Sequence, residues 1–365
     1  MTTHPTIKPQ PGILDIAPYV GGASHAAGAE KVYKLSSNEN PWGPSPKAIA
    51  AYEATAKSLA AYPDPGCTEL RAAIAERHDL DAERIMCGAG SDELIALLCA
   101  AYAGTGDEVV YSRHGFLMYP ISAQANGAVP VATAEENLTA SVDNMLAACN
   151  ERTKLVFLAN PNNPTGTRLN SQEINRLAAG IPEQALLVLD AAYAECVDDG
   201  DYDGGAALVN RCDNVVMTRT FSKIYGLAAL RLGWLYGPAH VVETLHRIRG
   251  PFNVNAAAQA AGVAAMRDHE YTAECVARNA ALRATLVTAL GEMGVGVTPS
   301  SGNFVLAEFG QGSGGAADTD EFLKSRGLIV RRMESYGLPG HLRISVGDEE
   351  AMGVLIAALR EFRGV

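Results

Sequence analysis

Four short apolar runs, 107–111, 154–159, 185–189 and 214–218, alternate with helical patterns through the middle of this chain, and each ends in a polar loop. Runs this short, rich in branched aliphatic residues and flanked by turn formers, are strands buried on both faces of a sheet. Strands separated by helix-length segments require crossover connections. The pattern therefore predicts an α/β fold with a mostly parallel central sheet flanked by helices. Ligands of such sheets sit beyond the carboxyl ends of the strands, which is where the polar loops fall. A further strand over 84–87 leads through Gly88-Ala89-Gly90 into a helix from Asp92 to Tyr102, with Leu94, Leu97, Leu98 and Ala101 at helical spacing and Gly104 as its stop. Ser45-Pro46 supplies the cap and first-turn proline of another helix.

Beyond about residue 250 the pattern changes. A long helical stretch over 255–293 is followed by strand-like runs at 295–298 and 303–308 around Pro299-Ser300-Ser301-Gly302. A glycine-rich segment, 310–315, reads as a loop, and 341–346 as a strand. In the closing helix Met352, Leu355, Ile356 and Leu359 share one face. A length of 365 residues exceeds what one core usually serves. The expected organisation is a large domain over 41–254 and a smaller α+β domain over 255–365, with the N-terminal arm 1–40 joining the smaller one.

A net charge of −12 and an isoelectric point near 5.2 exclude a nucleic-acid binder, which needs clustered cations. They leave room for small anions, which need only a few local cations. No apolar run reaches membrane-spanning length, and Met1 to Gly12 is polar without a signal-like core, so the expected location is the cytoplasm. The seven cysteines (67, 87, 99, 149, 196, 212 and 275) show neither CxxC nor Cys/His metal spacing. They read as reduced core residues, and no metal is expected.

Four motifs carry chemistry. Asn160-Pro-Asn-Asn-Pro-Thr-Gly166 follows a strand directly; its prolines and glycine impose a rigid turn from which asparagine amides can donate. A structural turn explains it equally well in isolation. Asp190 ends the apolar run Leu186-Leu-Val-Leu, where a carboxylate is costly unless a cation meets it or it caps a helix. Lys223, in Thr218-Arg-Thr-Phe-Ser-Lys-Ile-Tyr-Gly, sits among apolar residues that depress an amine pKa and favour Schiff-base chemistry. Ser222 and Arg231 nearby are the types that hold a phosphate. Gly88, Gly90, Ser91 and Asp92 offer backbone N–H groups to an anion at a helix N-terminus.

Taken in this order, Ser37-Asn-Glu-Asn-Pro-Trp-Gly43, AGSDE, NPNNPTG, DAAY, TFSK with Arg231, and Leu342-Arg-Ile-Ser-Val-Gly347 make the chain resemble the fold-type-I pyridoxal-phosphate aminotransferases of class II. The likeness spans essentially the full length and is strongest to members acting on histidinol phosphate. The resemblance implies that Lys223 forms the Schiff base with pyridoxal 5′-phosphate and shuttles the proton. It implies that Asp190 pairs with the pyridinium nitrogen, and that Tyr193 and Asn163 hydrogen-bond the cofactor's 3′-oxygen. Gly90, Ser91, Asp92, Thr220, Ser222 and Arg231 are implied around the phosphate, with Phe116 stacked on the ring. For substrate it implies Arg343 and Arg331 on the anionic group, Asn40 and Asn163 beside it, and Tyr19 in the same pocket. Tyr62 is implied from the other subunit of a homodimer.

Two departures stand out. The usual Asp-Glu-Ala-Tyr is Asp190-Ala-Ala-Tyr193 here, and Ser112-Arg-His114-Gly replaces a proline-rich turn before Phe116. His114 reads as a satisfied loop histidine. The expected reaction converts L-histidinol phosphate and 2-oxoglutarate to imidazole-acetol phosphate and glutamate. Rival readings are a phenylalanine or tyrosine aminotransferase, a related decarboxylase acting on threonine phosphate, and a non-catalytic relative; the intact Lys223, Asp190 and Arg231 set argues against the last.

Overall fold

The computed structural model describes residues 7–23, 31–198, 200 and 202–365, so the first half of the polar stretch expected at 1–12 lies outside the described residues. Seven strands form the large sheet: β1 (Ile85–Gly88), β2 (Glu108–Ser112), β3 (Val129–Thr133), β4 (Thr153–Ala159), β5 (Leu186–Asp190), β6 (Val215–Thr220) and β7 (Gly233–Tyr236). Their order is β1-β7-β6-β5-β4-β2-β3. Every pair is parallel except those made by β7, which runs antiparallel to both β6 and β1. The mostly parallel sheet read from the sequence is present, and β4, β5 and β6 fall within a residue or two of their expected bounds.

Two strands of this sheet have no counterpart in the sequence reading. β3 is an edge strand with Pro130 inside it and an exposed Val129, so it lacks the apolar run that marks its neighbours. In β7, Trp234, Leu235 and Tyr236 are fully buried, but four residues between loops carry too little periodicity to register.

The helical stretch expected over 255–293 is two helices, Ala256–Arg267 and His269–Glu292. The break is at Asp268, which leaves helical geometry (φ −93°, ψ 74°) to receive Ser45 Oγ and Lys47 Nζ, the latter at 2.8 Å. The first of these helices packs on the large core, not the small one. Ala258, Ala261 and Met266 are buried with Leu70 and Ile74. A Cβ at Gly262 would come within 2.6 Å of Leu232 and 2.9 Å of Leu70, so the glycine sets how close the helix can lie. The change of core falls inside the second helix, where Cys275 joins the large cluster and Leu286 the small one.

The small sheet has the order β8 (Gly296–Thr298), β9 (Phe304–Glu308), β11 (Leu338–Ser345), β10 (Arg331–Met333), all antiparallel. The C-terminal helix Glu349–Arg363 covers it with Met352, Leu355 and Leu359, each of whose burial stabilises by about 1.5–3 kcal/mol. The arm joins this sheet's layer: Tyr33 and Lys34 pair in parallel with Leu328 and Ile329, and Leu35 enters the small core. Segment 310–315 is a compact turn in which Gly315 N donates to Gly312 O at 3.0 Å. No helix among the described residues is long and apolar enough to cross a membrane.

Candidate active site

The carboxyl ends of β4, β5 and β6 open into a cavity of about 290 Å³, closed on its far side by the arm and by β10 and β11. Asp190, the last residue of β5, is buried at its floor. Tyr119 Oη donates to Asp190 Oδ2 at 2.6 Å and Ala192 N donates to Oδ1 at 3.3 Å. The Tyr119 ring is itself stacked on Phe157, with centroids 4.5 Å apart and planes at 9°. Burial raises the Asp190 pKa, opposed by the Tyr119 hydrogen bond. A carboxylate in this position gains from a cation in front of it. Three residues on, Tyr193 is buried and its phenol is pushed up to about 12 by burial, so its proton stays on.

Lys223 lies on the loop after β6 and lines the cavity while protein encloses it elsewhere. The loop is held by the buried Phe221 and Tyr225 on either side of it, and Gly226 N donates to Lys223 O at 2.9 Å. Gly226 (φ 69°) lies against the Gly43 backbone, where any Cβ would collide. The Lys223 amine contacts Ser37 O at 3.4 Å and stands 5.6 Å from the Tyr193 ring centroid. Burial, and secondarily the positive Arg343, lower its pKa to about 8. The neutral, nucleophilic amine thus predominates above about pH 8 instead of above 10. Capture of pyridoxal phosphate by the cofactor-free protein, trapped with borohydride and read by intact mass, is expected to rise with pH through about 8 and then level off. A midpoint near 10 would show an unperturbed lysine.

At the cavity's other end donors converge. Gly90 (φ 88°) has a left-handed geometry that favours glycine, and a Cβ there would stand 2.6 Å from Arg231 Nη2. Gly233 in β7 likewise lets Ser91 N approach, a Cβ there falling 2.5 Å from it. The helix Ser91–Tyr102 therefore starts directly over the cavity and points its free N–H groups at it. Thr220 Oγ1 and Ser222 Oγ are 3.0 Å apart, and Arg231 reaches Ser222 Oγ at 3.5 Å and Asp92 Oδ2 at 2.8 Å. The Arg231–Asp92 pair is half-exposed, which makes it weak and replaceable by a more highly charged anion.

The wall opposite is made by two arginines. Arg331 on β10 and Arg343 on β11 are cross-strand partners, 9% and 3% exposed. Arg343 donates to Asn163 Oδ1 and, at 2.7 Å, to Ser36 O; Arg331 donates to Val20 O at 3.0 Å and meets Tyr19 Oη at 3.5 Å. Among the described residues neither has a carboxylate partner, and Arg343 Nε is buried without an acceptor. Two like charges facing each other on neighbouring strands, both desolvated, oppose folding unless an anion lies between them.

Most residues singled out in the sequence line this one cavity: Tyr19, Ser91, Asp92, Phe116, Asn163, Asp190, Tyr193, Thr220, Ser222, Lys223, Arg231, Arg331 and Arg343, with Gly90 behind Arg231. Asn40 does not. Its amide donates to Gly43 O and Ile224 O, both at 2.9 Å, so it ties the turn after SNEN to the lysine loop and faces no ligand space. Asn38, two residues earlier, lines the cavity in its place and was missed. Tyr62 is 82% exposed and stacked on Phe252 at 4.5 Å, on the outer surface and outside this chain's own cavity. His114 is spent on Glu135 at 2.7 Å; the same carboxylate takes Ser112 Oγ and His114 N, fixing by hydrogen bonds the turn that lacks prolines. Cys67 is buried against the Cys87 thiol and does not line the cavity. Tyr119 was also missed, although it lies one helical turn after Phe116. Among the described residues no cluster of His, Cys, Asp or Glu could hold a metal ion.

A buried carboxylate, a lysine of lowered pKa and an anion cradle in line along one cavity are the equipment of a transaminating site. The chain belongs to the aminotransferase class I and II family, whose model matches residues 30–359. A histidinol-phosphate aminotransferase of Ruegeria sp. (strain TM1040) is 55% identical over 357 residues, 98% of each chain, and that of Dinoroseobacter shibae is 56% identical over the same share. The crystal structure of histidinol-phosphate aminotransferase from Sinorhizobium meliloti in complex with pyridoxal 5′-phosphate superposes with a TM-score of 0.90 at 27% identity, covering 100% of this chain and 99% of that one. Aspartate aminotransferase from Thermus thermophilus shares the fold, with a TM-score of 0.80 over 91% of each chain at 20% identity.

Proposed function

We propose that this enzyme transfers the amino group of L-histidinol phosphate to 2-oxoglutarate, using pyridoxal 5′-phosphate carried on Lys223. The observation that supports the substrate class best is the cross-strand pair Arg331 and Arg343, buried and, among the described residues, without carboxylate partners. One arginine suffices for an α-carboxylate; two suit the dianionic phosphate of a substrate that has no carboxylate.

The residues present fit the cofactor. It supplies an aldehyde and an electron-withdrawing ring. The Lys223 amine attaches it and then carries the proton taken from the substrate carbon. Asp190, held by Tyr119, would keep a proton on the ring nitrogen. Tyr193 and Asn163 would hold the 3′-oxygen, with Phe116 against the ring. Gly90, Ser91, Asp92, Thr220, Ser222 and Arg231 would hold the phosphate. On the substrate side Tyr19 orients Arg331, and Asn163 orients Arg343.

Tyr62 and Phe252 form an exposed aromatic pair that a second copy of the chain would cover, which supports a homodimer with Tyr62 lent to the neighbouring cavity. All seven cysteines are free, in keeping with a reducing, cytoplasmic setting. The test is one half-reaction, in which the cofactor-loaded enzyme meets L-histidinol phosphate, or phenylalanine, without any keto acid. Conversion of the visible band to the pyridoxamine form is expected at far lower histidinol phosphate than phenylalanine. Equal or better conversion by phenylalanine would overturn the substrate assignment and favour an aromatic aminotransferase.

A further inference from the structure

The arm residues 35–38 are clamped between the two domains atom by atom. Ser345 N donates to Leu35 O at 2.9 Å, Arg343 to Ser36 O at 2.7 Å, Lys223 to Ser37 O at 3.4 Å, and Asn303 Nδ2 to Asn38 O at 2.9 Å. Within this clamp Asn38 is buried with φ at 55°, a left-handed geometry that a non-glycine residue holds only where its surroundings impose it.

The Asn38 side chain is bonded at both ends. Ser345 Oγ accepts the Asn38 backbone N–H at 2.8 Å and donates its own proton, at 2.8 Å, to Asn38 Oδ1. With the amide oxygen committed, the NH₂ end points the other way and donates to Tyr193 Oη at 2.9 Å. A phenol oxygen that already accepts one hydrogen bond directs its own proton elsewhere, and Tyr193 lines the cavity.

We infer that Asn38 is a positioning residue: it turns the Tyr193 hydroxyl proton into the cavity, toward the 3′-oxygen of pyridoxal phosphate. The inference rests on the cofactor reading above and concerns a residue to which that reading assigns no part. Donation into Tyr193 Oη also polarises the phenol and makes it a stronger donor. The charged and titratable groups around Tyr193 are Arg343 and Tyr336 from the small-sheet side, Asp190 and Cys196 on its own segment, Tyr119 bonded to Asp190, and Lys223 over its ring. None of these is altered by changing Asn38. Aspartate at position 38 would reverse the bond, taking the tyrosine proton for its own carboxylate.

The test is an absorbance titration of the lysine-bound cofactor. Asn38→Gly is the principal variant, because glycine accepts φ 55° and removes only the amide. Its visible band is expected to titrate about 0.5–1 pH unit higher than that of the wild type, the size of one hydrogen bond. Asn38→Asp is expected to move it further in the same direction. In a Tyr193→Phe background Asn38→Gly should not move it again, which a general loosening of the clamp would still do. An Asn38→Gly protein that folds, by circular dichroism and melting, and titrates like the wild type overturns the inference. So does an Asn38→Gly shift that survives undiminished in Tyr193→Phe. A wild type that takes up no pyridoxal phosphate overturns the cofactor reading, and the inference with it.

Discussion

Lys223→Ala is expected to lower turnover by at least about 10²-fold and to abolish the visible band of the lysine-bound cofactor. The size of the effect follows from how little else stands near that amine. The amine stands over the Tyr193 ring, and burial holds that phenol near 12, so it keeps its proton at neutral pH. Asp190 lies at the floor of the cavity, occupied by Tyr119 and Ala192 N. Arg343 and Arg331 are donors only. The cavity's remaining carboxylates among the described residues, Asp92 and Glu39, are paired with Arg231 and Lys34. Steady-state rates together with an absorbance spectrum check the prediction, and turnover above about one per cent of wild type would contradict it.

Asp190→Asn is expected to act in opposite directions on activity and on stability. Without the carboxylate the ring nitrogen loses its counter-charge in a buried site. Breaking such a pair costs about 3–5 kcal/mol, or roughly 10²–10⁴-fold in rate. In the cofactor-free protein the same substitution removes a burden. A carboxyl whose folded pKa is raised above its unfolded value binds its proton more tightly when folded. It therefore favours the fold at low pH, and that contribution is lost as pH rises through the folded pKa. At neutral pH the ionised Asp190 is a net penalty that asparagine does not carry. Melting of the cofactor-free protein at pH 7 is expected to rise by about 1–2 °C, and at pH 4 the gain should shrink. A lowered melting temperature at neutral pH would show that Tyr119 and Ala192 N already compensate the charge in full.

The cofactor end was legible in the sequence because its parts are contiguous. Ser222 and Lys223 are adjacent, Asp190 and Tyr193 share one turn, and Gly90 with Ser91 opens one helix; each group is placed by a single strand end. What escaped depends on backbone angles or on contacts between distant segments. Asn38 and Asn40 stand in the same four-residue motif, and only the positive φ at Asn38 decides which one faces the cavity. Tyr119 carries no local mark, since its partner Asp190 is 71 residues away. The break at Asp268 is set by Ser45 and Lys47, over 220 residues earlier in the chain, and nothing near Asp268 announces it. The placement of helix Ala256–Arg267 on the large core follows from a glycine meeting Leu70 and Leu232, a fit that no periodicity encodes.

Arg343 lowers the basicity of Lys223 through space, and this makes the two sites thermodynamically linked. An anion seated on Arg343 cancels part of the positive field that the free amine experiences, so the amine becomes a better proton acceptor when substrate arrives. Linkage is reciprocal: whatever an anion does to the proton affinity of Lys223, protonation of Lys223 does to the affinity for the anion, by the same factor. In the amine form of the enzyme, acidification thus tightens the grip on a phosphate while withdrawing the base. Anion affinity and proton-transfer competence have opposing pH dependences, so the free-amine enzyme works best in the interval where neither has yet been given up.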